Sequence, residues 1–411
     1  MEGDRDVMNH YLGNLRLLEV DGDSARRAYQ QGRACAAQYA SAASSIGSLL
    51  VEPHRVGARL HTRVSQVGLA AAGAYFLARH RSALRSYGGG WVWRAQRGLA
   101  DGAGLSLPLS FGLGAVPELV SSQLGFAVGC SAVAVSEVEG VEGPQIHYNH
   151  DFPPRFGDFA FVRRNAPSDG HASVCLTYPI MVGCLAGVNA PGLAITLNHA
   201  FAKDHHGRAG IVLTTLVQAC LDRAGDVESA LDLLRAAPVT NGAIITLADR
   251  QGSRAVAEIS CTAMRVRRPT ERLSYSFNRY RHPDMAAFEI PLEAVSTGLL
   301  PGIVLHESNV ERERRWHELS LDDASPLGAT DLRRLMTDHG GAKGDKNTIC
   351  RHADPLSETL WSAVLSPEAR TLEVTFGHAC EGLPVRYALR DGGRAQPATK
   401  VGSAAAGHVA H

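Results

Sequence analysis

The spacing of apolar positions changes near residue 124. Before it the pattern is helical. Residues 21–39 open on Asp21-Gly22-Asp23-Ser24 and continue through Ala28, Cys35 and Ala36 among good helix formers, which predicts a helix. Residues 67–77 form an Ala-rich apolar run, Gly88-Gly89-Gly90 marks a break, and Pro108 and Pro117 interrupt the apolar stretch 105–120. Beyond Leu124, short apolar runs at 126–128, 132–135, 159–162, 174–178 and 193–197 have the length of buried strands. Residues 211–222 and 226–236 then read as two amphipathic helices, the second capped by Asp226. Segments 244–248 and 254–259, joined by Asp249-Arg250-Gln251-Gly252, predict a hairpin. Charged helices are predicted at 305–319 and 330–337, and a last hairpin pairs 360–365 with 371–376 around Pro367-Glu368-Ala369. The Ala- and Gly-rich tail from Asp391 predicts disorder. Strands, then two helices, then strands imply sheet layers covered by helices, an α+β class.

Composition narrows the function. The chain has 411 residues with 41 basic and 41 acidic side chains, and a zero net charge argues against a nucleic-acid partner. At 45% apolar and 20% charged it is ordinary globular composition. The start, Met1-Glu2-Gly3-Asp4-Arg5-Asp6, lacks the basic and apolar parts of a secretory signal, so cytoplasmic residence is expected. Residues 174–198 carry no charge, yet Pro179, Pro191, Asn189 and three glycines fit two buried strands and a turn rather than a membrane span. Eight scattered cysteines without a C-x-x-C pair form neither a disulfide framework nor a recognised zinc spacing.

The candidate chemistry is a set of small polar clusters in apolar surroundings. Gly129-Cys130-Ser131 follows a short apolar run, and a cysteine there is commonly a buried thiol. His147-Tyr148-Asn149-His150-Asp151-Phe152 lies downstream, followed by Gly187-Val188-Asn189-Ala190-Pro191-Gly192-Leu193, Tyr275-Ser276-Phe277-Asn278 and Thr348-Ile349-Cys350-Arg351-His352.

The ordered set Gly-Cys, Asn-x-Asp, Asn-x-x-Gly-Leu, a strand-end Asn and Cys-Arg-His resembles the acyl-coenzyme A:isopenicillin N acyltransferase family. These are autoproteolytic N-terminal-nucleophile enzymes, with choloylglycine hydrolase and penicillin V acylase as more distant relatives. The resemblance runs from about Leu15 to Leu389 and includes the helical segment beginning Gly22-Asp23-Ser24. It implies a four-layer αββα sandwich, with residues 1–129 as a helical pro-segment kept as a small subunit, 130–390 as the catalytic domain and a disordered tail from 391. It implies self-cleavage between Gly129 and Cys130, glycine serving a tight, exposed turn. The freed α-amine of Cys130, with an ordinary pKa of about 7.7–8.0, would then act as general base. By the same resemblance Asp151 holds that amine, Asn278 donates to the oxyanion, Asn189 completes the oxyanion hole, and Arg351 supports Asp151. The implied activity is amide hydrolysis or N-acyl transfer through an acyl-enzyme on Cys130. The substrate would be a small-molecule amide or acyl donor, and water or an amine the acceptor. No cofactor or metal is implied, though a coenzyme A or carrier-protein thioester could be the acyl donor; homo-oligomerisation is left open. A non-catalytic binding protein on the same scaffold is the alternative from another class.

One departure concerns charge. Choloylglycine hydrolases carry an arginine three residues before the aspartate, where this chain has Tyr148, which argues against bile-salt-like or penicillin V-like substrates. His147, His150 and Asp204-His205-His206 match no recognised metal motif and are expected as loop or supporting histidines. Arg163-Arg164 and Arg265-Val266-Arg267-Arg268 are expected as solvated strand edges, or as attraction for an anionic acyl donor.

Overall fold

The computed structural model describes residues 16–47, 58–124, 129–205, 209–296, 302–319, 327–340, 344–352, 357–389 and 399–400. The expected strand 126–128 lies outside them, as does the tail from Asp391 apart from Thr399–Lys400.

The N-terminal third opens on a strand, β1 (Leu17–Gly22), that the helical reading missed. Asp23 then caps α1 (Ser24–Ala34), its carboxylate accepting the Arg26 N–H at 2.8 Å. Helices α2 (Tyr39–Gly47), α3 (Ala58–Ser86), α4 (Trp91–Ala103) and α5 (Leu107–Leu124) follow, with α1 against α4 and α3 against α5. The α1–α4 contact is made by backbone. A Cβ at Gly102 would lie 2.1 Å from the Tyr29 carbonyl, so glycine is required there. Helix α5 runs through both Pro108 and Pro117, which were expected to interrupt it.

Two sheets face one another. The first runs β1, β4 (Phe161–Pro167), β5 (Ser173–Thr177), β6 (Ala186–Asn189), β7 (Leu193–Ala200), β8 (Gly242–Asp249), β9 (Arg254–Ile259) and β10 (Met264–Arg267). All its neighbours are antiparallel except β1 and β4. The second runs β11 (Leu273–Ser276), β2 (Gly129–Val135), β3 (Gln145–Phe152), β12 (Glu358–Ser366), β13 (Thr371–Phe376), β14 (Val385–Ala388) and β15 (Thr399–Lys400). Strands β2 and β3 lie over β7 and β8, burying the largest apolar cluster between the sheets. Helices α6 (Leu213–Arg223) and α7 (Val227–Ala236) cover the first sheet; Asp226 and Ser229 form the capping box that starts α7. Helix α9 (Ala329–Met336) covers β3 on the second, and α8 (Glu307–Leu319) precedes it. This is the αββα layering.

Arg163 and Arg164 correct an expectation. Both are buried in β4, inside the sheet rather than at its rim. Arg163 bonds Gln31 and Gln218, and Arg164 reaches Glu19 at 2.8 Å, contacts that offset part of the cost of burying a guanidinium. The Arg265–Arg268 stretch does run along β10, an edge strand.

Candidate active site

Cys130 is the second residue of β2 and lies opposite His150 of β3. Gly129 faces Asp151 in the same register, and Ala132 faces Tyr148. Side chains directly opposite on an antiparallel pair share a face, so Cys130, Tyr148 and His150 meet between the sheets. The Tyr148 hydroxyl is 3.2 Å from the sulfur and 2.5 Å from the Leu197 carbonyl. His150 Nδ1 lies 3.7 Å from the sulfur, and its ring stacks on Trp361.

The main chain of Cys130 is held on both sides. Its N–H donates to Asn278 Oδ1 at 2.9 Å. Its carbonyl accepts from Arg312 Nη1 at 2.6 Å and Asn198 Nδ2 at 3.3 Å. Arg312 also bonds Ser131 and donates to Asn278 Oδ1 at 2.9 Å, and Asn278 Nδ2 donates to the His199 carbonyl at 2.8 Å.

Arg351 occupies the flank. Its Nε is 3.1 Å from Asp151 Oδ2, and its Nη atoms reach Ser357 and Ser308. Thr359 donates to Asp151 Oδ1 at 2.7 Å. Both members of the ion pair are buried. This pair explains the glycine before the cysteine. Gly129 is extended strand rather than a tight turn, and a Cβ there would lie 2.4 Å from Arg351 Nη2. Sterics, not backbone freedom, exclude a side chain.

Burial, and secondly the Asp151 charge, push the Cys130 thiol up to about 11, while the Tyr148 hydroxyl and Arg312 pull the other way. Burial holds His150 down at about 3. Arg312 is lowered to about 9, first by burial and then by Arg351. At neutral pH the resting pocket therefore holds a thiol, a neutral imidazole and a charged Arg312.

Of the residues singled out from sequence, the structure gathers Gly129, Cys130, Asp151, Asn278 and Arg351 in one place. Asn189 is elsewhere. Its amide donates to the Leu221 and Ala224 carbonyls, and its oxygen takes the Leu193 N–H. Its side chain ties the β6–β7 turn to the end of α6, and both its amide hydrogens are taken up there. Asn278 also has a role not expected of it, since its oxygen takes the Cys130 N–H; one of its two amide hydrogens goes to His199, and the second is the one the expected oxyanion donation would use. Sequence reasoning missed Asn198 and Arg312. Asn198 left a signal, a polar residue ending an apolar strand; Arg312 left none among the arginines of α8.

A buried cysteine near the head of an inner strand of an αββα sandwich, gripped through its main chain, is compatible with an acyltransferase or amidohydrolase. The model of one such family, acyl-coenzyme A:6-aminopenicillanic acid acyl-transferase, matches residues 139–380, more than half of the chain. The chain belongs to that family. The matched stretch begins after Cys130 and includes Asp151, Asn198, Asn278, Arg312 and Arg351. No curated protein matches. Among solved structures, similarity extends to a mutant conjugated bile acid hydrolase from Clostridium perfringens, at 12% identity over 60% of this chain and 89% of that one, TM-score 0.36. Penicillin V acylase from Agrobacterium tumefaciens shows 14% identity over 60% and 82%, TM-score 0.35. An N-acylethanolamine-hydrolyzing acid amidase ortholog from Caenorhabditis elegans shows 10% over 58% and 93%, TM-score 0.36. Among the described residues, no helix is long and apolar enough to cross a membrane.

Proposed function

We propose that the chain cuts itself between Gly129 and Cys130 and then uses Cys130 as the nucleophile of an amide hydrolase or N-acyltransferase. The Cys130 sulfur adds to the Gly129 carbonyl carbon, the C–N bond breaks, and the departing nitrogen takes a proton. Water then hydrolyses the thioester, leaving a Gly129 carboxylate and a free Cys130 amine and thiol. The supporting observation is the separate anchoring of the Cys130 nitrogen by Asn278 and of its carbonyl by Arg312 and Asn198. None of these contacts involves Gly129, so they outlast the cut.

Burial pushes the Cys130 thiol up to about 11 and holds His150 down at about 3, which makes His150 a poor acceptor for the thiol proton and favours the freed amine as the base. Retention of residues 1–129 as a small subunit is supported by the β1–β4 pairing, by the buried Arg27–Asp222 ion pair at 2.7 Å and by the Tyr39 hydroxyl on the Pro179 carbonyl.

A small amide or an acyl thioester would load the sulfur, and water or an amine would unload it. A coenzyme A or carrier-protein thioester as donor has one observation behind it. A cleft of about 720 Å³ is lined by Arg267, Arg268, Arg281, Tyr275, Trp316 and His317. Its arginines already pair with Glu258, Glu228 and Glu313, which weakens its pull on an anion.

Intact mass of freshly purified wild type beside Cys130→Ala tests the proposal. Wild type is expected as 1–129 and 130–411, with the variant whole. An uncleaved wild type would overturn the free-amine mechanism and leave Cys130 a buried thiol or an unprocessed nucleophile needing another base; a chain both uncleaved and inert would favour a non-catalytic scaffold.

A further inference from the structure

Cys350 and His352, the neighbours of Arg351, converge with Cys380 and His339. The Cys350 sulfur lies 3.5 Å from His352 Nε2, and the Cys380 sulfur 3.2 Å from the same nitrogen. The two sulfurs are 3.9 Å apart. A ring nitrogen of His339 lies within 4.8 Å of all three, and its ring meets His352 edge-on. The four come from separate places in the chain: the residues after α9, the loop before β12, and the turn after β13.

We propose that these four side chains form a structural zinc site. Zinc in Cys₂His₂ sites is tetrahedral, with bonds of about 2.3 Å to sulfur and 2.0–2.1 Å to nitrogen. That geometry sets sulfurs about 3.8 Å apart and sulfur and nitrogen about 3.5 Å apart. The three separations among Cys350, Cys380 and His352 are close to it, whereas a disulfide needs about 2.05 Å. Soft thiolates with imidazoles select zinc over calcium or magnesium. His339 Nε2 is buried without a hydrogen-bond partner among the described residues, as a nitrogen held for a metal would be. Behind His352, Glu381 stands 3.8 Å from Nδ1, and it also meets His378 Nδ1 at 3.1 Å.

Binding would release the two thiol protons, and two thiolates cancel the charge of one zinc ion, so the site adds no net charge beside Arg351. Its effect is mechanical. Ligands on either side of Arg351 fix the short segment that carries it, and with it the guanidinium between Gly129 and Asp151. Arg351 is thus positioned by the zinc site. The proposal stands whether or not the Gly129–Cys130 bond is cut.

The test is metal analysis of the full chain after chelation, reduction and reloading with zinc, then with cobalt. Wild type and Cys261→Ser are expected to hold about one zinc per chain. Cys380→Ser is expected to lose it. Wild type loaded with cobalt is expected to show the visible bands of tetrahedral coordination and a thiolate charge-transfer band. Chelation is expected to speed amide exchange in residues 344–352 at least about tenfold while the sheets stay protected. Folded wild type that takes up neither metal would overturn the proposal, and so would zinc loss in Cys261→Ser equal to that in Cys380→Ser. A wild-type mass short by two hydrogens, with the bond mapped to Cys350–Cys380 and resistant to reduction in the folded state, would replace the site with a disulfide.

Discussion

Adding one methyl group at Gly129 is the sharpest probe of how the site is held. The new carbon would lie 2.4–2.7 Å from three atoms of the Arg351 guanidinium, well inside the 3.5–4.0 Å of ordinary contact. The arginine must retreat by roughly 1 Å. It is not free to do so cheaply, because it is buried against Asp151, Ser357 and Ser308. Breaking a buried ion pair costs about 3–5 kcal/mol, so a partial retreat should cost about 2–4 kcal/mol. The measurement is chemical denaturation of Gly129→Ala, Arg351→Ala and the double variant, all carrying Cys130→Ala so that every chain is uncut. With Arg351 removed the methyl has space, and Gly129→Ala should then be within about 1 kcal/mol of neutral. A coupling of about 2 kcal/mol or more is expected. Strictly additive effects, within about 0.5 kcal/mol, would refute the claim that Arg351 is what excludes a side chain from position 129.

Two further outcomes follow from the same geometry. A thiol titrating at about 11 is protonated at neutral pH, so self-cleavage of refolded precursor should rise about tenfold per pH unit from pH 7 without levelling before pH 10; a plateau near pH 8 would show that burial does not hold the thiol up. Asn198→Ala strips donors from the Cys130, Ser276 and Phe277 carbonyls and should slow cleavage at least about tenfold, roughly 1.4 kcal/mol, whereas Asn189→Ala should loosen the β6–β7 turn yet leave the cleavage rate within about threefold. Equal slowing in both, followed by gel densitometry, would contradict the placement of the two asparagines.

Elements with local signals were legible in the sequence. The β8–β9 hairpin announced itself through Asp249 and Gly252, and α7 through its Asp226 cap. Strand β3 did not, because the alternation of His147, Tyr148, Asn149, His150 and Asp151 is polar on both faces. Its polarity is satisfied only in three dimensions. Asn149 bonds the Met336 and Ile349 carbonyls outside the sheet, while Tyr148 and His150 turn inward to the sulfur. The same reason hid Arg312. Helix α8 carries Arg312, Arg314 and Arg315, and packing alone buries the first while the second stays exposed. Asn189 attracted the oxyanion assignment through the Asn-x-x-Gly-Leu resemblance, whereas the turn that Pro191-Gly192 signals is what its side chain closes.

The charges at the site account for the tyrosine at 148. Two buried guanidiniums, Arg312 and Arg351, face one buried carboxylate, Asp151. Even lowered to about 9, Arg312 stays protonated at neutral pH, so the pocket carries a surplus positive charge without an arginine on β3. Arg312 opposes the burial and the Asp151 charge that keep the thiol neutral, and its worth increases as negative charge develops on sulfur. It acts from the carbonyl side of Cys130, away from the Gly129 bond. The charge, the Asn278 anchor and the Tyr148 contact all survive if that bond is cut, whereas the peptide carbonyl that keeps the Cys130 nitrogen non-basic does not. Cleavage would therefore turn an amide nitrogen into a base beside a sulfur already in place, and leave the Gly129 carboxylate beside Arg351.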